Sequence, residues 1–144
     1  MLLFGAFESM AGEVLEKLSE AGHPELSVGN EFAMRAIDAG ADSAADLGRA
    51  LGVTRQAAAK TIAALEKLDY VTRTSTDADA RRKPLVVTQR GREAIAIGAR
   101  AFDVIYQEWR VGVGEENAAM IASALRELGA RDHSREAHSV PDEL

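Results

Sequence analysis

The sequence predicts a mainly α-helical fold with one small β-hairpin near its middle. Three observations carry this. Apolar residues recur at helical spacing in six separate stretches, most of them bounded by glycine, proline or a capping hydroxyl. Two short runs, Tyr70 to Thr74 and Leu85 to Val87, flank a loop rich in aspartate and arginine, as the strands of a hairpin would. The 144 residues, 47% of them apolar, suit one domain with a substantial core.

Each element follows from its own residues. Leu3, Phe7, Met10, Val14, Leu15 and Leu18 give a first helix over 2–18, which Gly22 and Pro24 end. A second helix is expected over 26–39, with Phe32, Ala36 and Ile37 inward and Gly40 past its end. Ser43 opens a short third helix, with Asp46 three residues on in capping-box spacing and Leu47, Ala50 and Leu51 as its apolar face. Gly52 turns the chain, and Thr54 caps a fourth helix over 55–68 whose Ala58, Ile62, Leu65 and Leu68 point inward. After the hairpin, Thr88 begins a long helix to about Val111, striped by Ala94, Ile95, Phe102, Ile105, Tyr106 and Trp109. Gly112 and Gly114 break it, and Glu115 and Glu116 start a last helix to Leu128, acids at its positive end. The polar residues after Ala130 read as a flexible tail.

A short helix, a glycine turn and a second amphipathic helix form a helix-turn-helix, and the hairpin after it adds a wing. The expected organisation is a winged helix-turn-helix over 26–94, a helical dimerisation region from 1–25 and 95–130, and a tail over 131–144. There is no cysteine, which removes disulfides and thiolate metal sites and fits a cytoplasmic protein. No run approaches the roughly 18 apolar residues of a membrane span. Met1 to Phe7 lacks the basic flank and cleavage site of a signal peptide.

The net charge of −6 argues against a polyanionic partner, but its distribution does not. Ser43 to Arg92 holds ten Lys/Arg against five Asp/Glu, and the remainder seven against eighteen. A basic middle with acidic ends leaves one local face able to meet DNA. On helix 55–68 that face carries Arg55, Gln56, Ala59, Lys60, Ala63 and Lys67. Arg55 lies in the first turn, where a cation opposes the helix dipole, so an anion placed there would satisfy both. Arginine and glutamine are the side chains that read guanine and adenine edges in the major groove. The alternative is an ordinary solvated face, and alanine also simply favours helix. Arg90 and Arg92 raise the same question in the first turn of the next helix. A phosphate or a nearby acid would answer it.

The loop TSTDADARRKPLVVT, residues 74 to 88, admits three readings. A metal site needs several convergent hard oxygens, and Asp77 and Asp79 beside three cations are too few. A solvated turn is the second. The third is a wing whose tip arginine enters a minor groove, where narrow A·T tracts concentrate negative potential, steadied by a neighbouring carboxylate.

These residues resemble the MarR family of transcriptional regulators. The family pattern around the recognition helix, Val-Ser-Arg-x-x-Val-x-x-Leu-Val-x-x-Leu-Glu-x-x-Gly-Leu-Val-x-Arg, meets VTRQAAAKTIAALEKLDYVTR, residues 53 to 73, without a gap. Val53, Arg55, Leu65, Glu66, Val71 and Arg73 match, and Thr54 replaces serine. The wing pattern, Asp-Arg-Arg-x-x-x-Val-x-Leu-Thr-x-x-Gly, meets residues 79 to 91, where Asp79, Arg81, Thr88 and Gly91 match. The resemblance implies that Arg81 is the wing-tip arginine and Asp79 its orienting partner. It places Arg55, Gln56, Ala59 and Lys60 at the major groove and Thr54 at a phosphate, and Ser43, Arg73, Arg82, Lys83 and Arg90 complete the expected DNA-facing set. Three positions depart from the pattern: Ala80 stands for the first wing arginine, Asp69 for the turn glycine and Ala59 for a polar residue.

The resemblance also implies a homodimer built from the first and last helices, and the first turns are apolar nearly all round: Leu2, Leu3, Phe4, Ala6, Phe7 and Met10. A twofold dimer sets two recognition helices about 34 Å apart over an inverted repeat of double-stranded DNA. Many relatives are released from DNA by a small lipophilic effector. Phe7, Met10, Phe102, Tyr106 and Trp109 are candidates to line its pocket, or else ordinary dimer core. No cofactor or metal is expected, and no catalytic constellation suggests an enzyme. The other function open to this sequence is a winged-helix adaptor that binds an acidic protein and not specific DNA.

Overall fold

A computed structural model describes residues 1–74 and 83–136, with side chains up to residue 128. The chain order is α1 (Leu2–Glu20), α2 (Val28–Asp38), α3 (Ala44–Leu51), α4 (Arg55–Lys67), β1 (Val71–Arg73), β2 (Leu85–Val87), α5 (Gln89–Val113) and α6 (Glu115–Glu136). The mainly helical class with one antiparallel hairpin is as the sequence predicts. Two compact units, Met1–Asp103 and Val104–Leu144, divide the chain. No described helix is long and apolar enough to cross a membrane.

In the first unit the helix ends are set by local chemistry. α2 begins at Val28, two residues later than its apolar pattern suggests, because Ser27 and Asn30 form a reciprocal capping box. Such a cap contributes about 1 kcal/mol. Ser43 caps α3, accepting from the Asp46 amide at 3.2 Å, and Thr54 caps α4, accepting from the Ala57 amide at 3.1 Å. At the far end of α4, Asp69 takes a left-handed φ of 61°. Its amide bonds to the Glu66 carbonyl, and the Tyr70 amide reaches the Leu65 carbonyl at 2.9 Å. This is the Schellman arrangement, with Leu65 and Tyr70 both buried as its apolar clasp. Asp69 therefore makes the turn for which the resembled pattern has glycine.

The core joins Leu18 of α1, Ala33, Met34 and Ile37 of α2, Leu47 of α3, Ala58, Ile62 and Leu65 of α4, and Tyr70, Val71, Leu85 and Val87 of the hairpin. Two expected inward positions differ. Phe32 is 45% exposed, since Ala33 and Met34 take the core face of α2 and turn it aside. Ala50 is exposed while Gly48 is buried, because α3 crosses α4 so closely that a Cβ on Gly48 would stand 2.9 Å from the Val53 carbonyl oxygen. The strands pair in the register Val71 with Val87, Thr72 with Val86 and Arg73 with Leu85. Thr88 then caps α5, its hydroxyl accepting from the Gly91 amide at 3.1 Å and donating to the Asp69 carbonyl at 2.7 Å.

In the second unit, Gly114 with φ 83° turns the chain between α5 and α6. Arg110 steadies this turn by donating to both oxygens of Glu115 at 2.5 and 2.6 Å. Asn117 donates to the Val113 carbonyl at 2.8 Å. α6 continues past Leu128 to Glu136, so residues 131–136, expected as the start of a tail, are helical. Once a helix is nucleated, each further residue adds a backbone hydrogen bond whether or not its side chain is buried.

Candidate nucleic-acid interface

α4 buries Ala58, Ile62 and Leu65 and leaves Thr54, Arg55, Gln56, Ala59, Lys60, Ala63 and Lys67 exposed. The division is the one its spacing predicts. Cations elsewhere in the described chain are often engaged: Arg35 with Glu31, Arg49 with Asp46, Arg73 with Glu66, Arg110 with Glu115. On α4, Arg55, Lys60 and Lys67 have no such partner among the described residues, and Gln56 makes no side-chain hydrogen bond there. An arginine and two lysines thus stand unneutralised on a helix made thin by alanines, with the dipole's positive end beside Arg55.

Arg73 is placed differently from the sequence expectation of a DNA-facing cation. Its guanidinium lies 3.0 Å from Glu66 near the end of α4 and also reaches the Lys83 carbonyl at 3.5 Å. It thereby ties α4 to the base of both strands. Ser43 is half-buried and spends its hydroxyl on Asp46 as a cap. Lys83 is exposed. Asp79, Arg81 and Arg82 lie outside the described residues, as do Asp77 and Ala80.

Arg90 has an internal set of partners. One of its Nη atoms donates to the Tyr70 hydroxyl at 3.2 Å and the Gly22 carbonyl at 3.3 Å, and stands 3.7 Å from the Glu25 carboxylate. The guanidinium also covers the Tyr70 ring at 4.8 Å. The Tyr70 hydroxyl meets Nδ1 of the buried His23 at 3.0 Å and Glu25 at 3.4 Å. Burial is the main influence on the Tyr70 phenol and raises its pKa above the ordinary value, against the lowering influence of Arg90. This cluster clasps the α1–α2 connection to the hairpin and α5. Nothing in the apolar periodicity announces it, because His23, Tyr70 and Arg90 meet only through the fold. Arg92 likewise donates to the Val87 carbonyl at 2.7 Å.

A cleft of about 340 Å³ opens between α1, α2 and the middle of α5, walled by Phe7, Met10, Val14, Phe32 and Phe102 among others. Phe7 and Phe32 stack with ring centres 6.4 Å apart. Three of the five residues expected to line a pocket, Phe7, Met10 and Phe102, meet here. Tyr106 and Trp109 belong to the second unit, where their rings lie 5.7 Å apart. Phe32 and the ion pair of Glu31 with Arg35 are lining residues that the sequence reading passed over. The i,i+4 spacing of that pair was a signal available to find it.

Comparison with known proteins bears on this arrangement. Residues 33–82 match the model of the MarR family. A sequence search among curated proteins finds no match. FabT of Streptococcus pneumoniae, solved in complex with DNA, superposes with a TM-score of 0.75 at 20% identity over 92% of this chain and 94% of its own. A MarR family protein of Mycobacterium tuberculosis, solved with salicylic acid, gives 0.64 at 23% identity over 88% and 93%. A transcriptional regulator of Thermotoga maritima gives 0.63 at 22% over 96% of each chain. The likeness in fold spans most of the chain, and the family match runs from α2 through the helix-turn-helix and β1 and ends before β2. Residues 33–82 are thus similar to the MarR family, and over most of its length the chain has the fold of these winged helix-turn-helix proteins.

Proposed function

We propose that this protein is a cytoplasmic, homodimeric repressor that binds an inverted-repeat operator and is released by a small lipophilic ligand. α4 enters the major groove and the wing, residues 75–84, the minor groove. The observation that carries the reading is the unneutralised face of α4. Arg55, Gln56 and Lys60 would meet base edges and phosphates, Thr54 a phosphate, and Ala59 a thymine methyl or sugar. Ser43, Arg73, Lys83 and Arg90 flank this face as positioning or backbone contacts, while Asp79, Arg81 and Arg82 serve the wing. Apolar side chains left in water support the dimer: Leu2, Leu3 and Phe4 on α1 are 93%, 57% and 60% exposed, and Met120, Leu125 and Leu128 line α6 in the same state. Two structures of similar fold were solved with DNA, FabT and a mutant of Staphylococcus aureus MepR, and the salicylic acid complex of the mycobacterial relative supports an effector. The helical dimerisation region, 1–25 and 95–130, and the winged domain, 26–94, remain the working division of labour.

A salt titration with random duplex DNA tests the central point. The logarithm of the binding constant falls linearly with the logarithm of salt concentration if phosphates are neutralised. Absence of binding at low salt overturns the proposal and favours a protein-binding adaptor. Arg81→Ala is expected to weaken binding to every duplex, and Gln56→Ala to cost about 1–3 kcal/mol of discrimination between operators.

A further inference from the structure

We infer that the cleft between α1, α2 and α5 selects lipophilic cations over lipophilic anions. The inference rests on the ligand pocket proposed above and adds the sign of the charge it takes. Phe7, Phe32 and Phe102 surround the cleft and keep 43%, 45% and 47% of their surface exposed. Exposed aromatic faces carry negative potential and attract cations, best where water is excluded. The charged lining consists of two carboxylates, Glu31 and Asp103, against one guanidinium, Arg35.

That guanidinium is already paired. Its Nε and one Nη both converge on the same Glu31 oxygen, at 2.7 and 2.6 Å. Glu31 is 9% exposed, so its carboxylate is held away from water while the Arg35 side chain keeps 39% of its surface exposed, and Gly98 of α5 closes over the carboxylate. A Cβ on Gly98 would stand 2.8 Å from that shared oxygen. An anionic ligand that displaced Glu31 would leave a buried carboxylate unpaired, which is expensive, and one that met only the outer N–H groups of Arg35 would face a cation whose charge Glu31 already offsets. A cation meets no such barrier. Asp103 at the cleft has no hydrogen bond or ion pair among the described residues and is available to it. Three phenyl rings, two of them stacked on each other, and a carboxylate without a partner among the described residues, around an apolar space, form a receptor for a bulky, weakly hydrated cation.

Tetraphenylphosphonium and tetraphenylborate test this directly, since they share one apolar shape and differ in the sign of charge. Calorimetric titration of the full-length protein, without DNA and at moderate salt, is expected to show the cation binding at least about tenfold tighter, the order that a desolvated cation–π contact and one carboxylate supply. Asp103→Asn is expected to shrink that preference severalfold while leaving thermal stability unchanged. Equal binding of both ions, or tighter binding of the borate, overturns the inference and leaves the pocket standing. Binding of neither ion overturns the pocket as well, while DNA binding is judged separately by the salt titration. A preference that survives undiminished in both Asp103→Asn and Glu31→Gln assigns it to the protein's net charge and also overturns the inference.

Discussion

Gly91→Ala is the substitution for which the structure gives the sharpest expectation. Gly91 lies in the first turn of α5, pressed onto the hairpin. A Cβ there would stand 2.5 Å from Cγ1 of Val87 and closer still to the carbonyl oxygen of Tyr70, inside the 3.0 Å that real Cβ atoms essentially never cross. The oxygen is backbone and is itself held, accepting from the Thr88 amide at 3.0 Å, with the Thr88 hydroxyl oxygen 3.1 Å away. Relief therefore requires α5 to lift from β1, loosening those bonds and the cap between Thr88 and the Gly91 amide. Overpacking costs about 1–3 kcal/mol, and a weakened cap adds about 1. Replacing a helical glycine returns up to about 1 through helix propensity. The net expectation is a loss of about 1–3 kcal/mol, read as a lower urea midpoint at unchanged slope and fixed protein concentration. Gly12→Ala is the control, since nothing stands within 4 Å of a Cβ there. It should gain roughly 0.5–1 kcal/mol. If Gly91→Ala is as stable as wild type, the close approach of α5 to β1 is wrong.

Two further outcomes follow from the same part of the fold. Asp69→Gly relieves a left-handed residue and should stabilise the chain by about 0.5–1 kcal/mol in the same denaturation assay; a loss of stability would mean that the carboxylate has a role of its own. Glu66→Gln removes a negative charge near a proposed polyanion site, which by charge alone would tighten DNA binding. Because Glu66 holds Arg73 and with it the base of the hairpin, the expected result is weaker binding, by roughly threefold to tenfold. Tighter binding would show that Arg73 positions nothing.

The helices and the hairpin were legible in the chain because their causes are local. Apolar spacing, Ser43 and Thr54 as caps, Gly40 and Gly52 as left-handed ends, and the strand pair around the loop act within a few residues of one another. The exposed face of α4 was equally legible, since a helix that buries Ala58, Ile62 and Leu65 must turn Arg55, Gln56 and Lys60 outward. Asp69 shows the limit of pattern matching. The family's glycine is absent, yet the turn persists, because an aspartate tolerates left-handed geometry and the buried pair of Leu65 and Tyr70 enforces it.

Tertiary structure alone decided which cations are free. Arg55 and Arg90 look alike in sequence, each in a first turn against the dipole. Arg90 is surrounded by Tyr70, Glu25 and the Gly22 carbonyl, while Arg55 faces outward without a partner among the described residues. The same holds for the cleft: Phe32 was expected in the core and instead stacks on Phe7, and Glu31 neutralises Arg35 under Gly98. A chain's own spacing determines what its backbone does within one or two turns. Whether a charge is satisfied depends on residues that are distant in sequence, and their approach is set by how the helices pack.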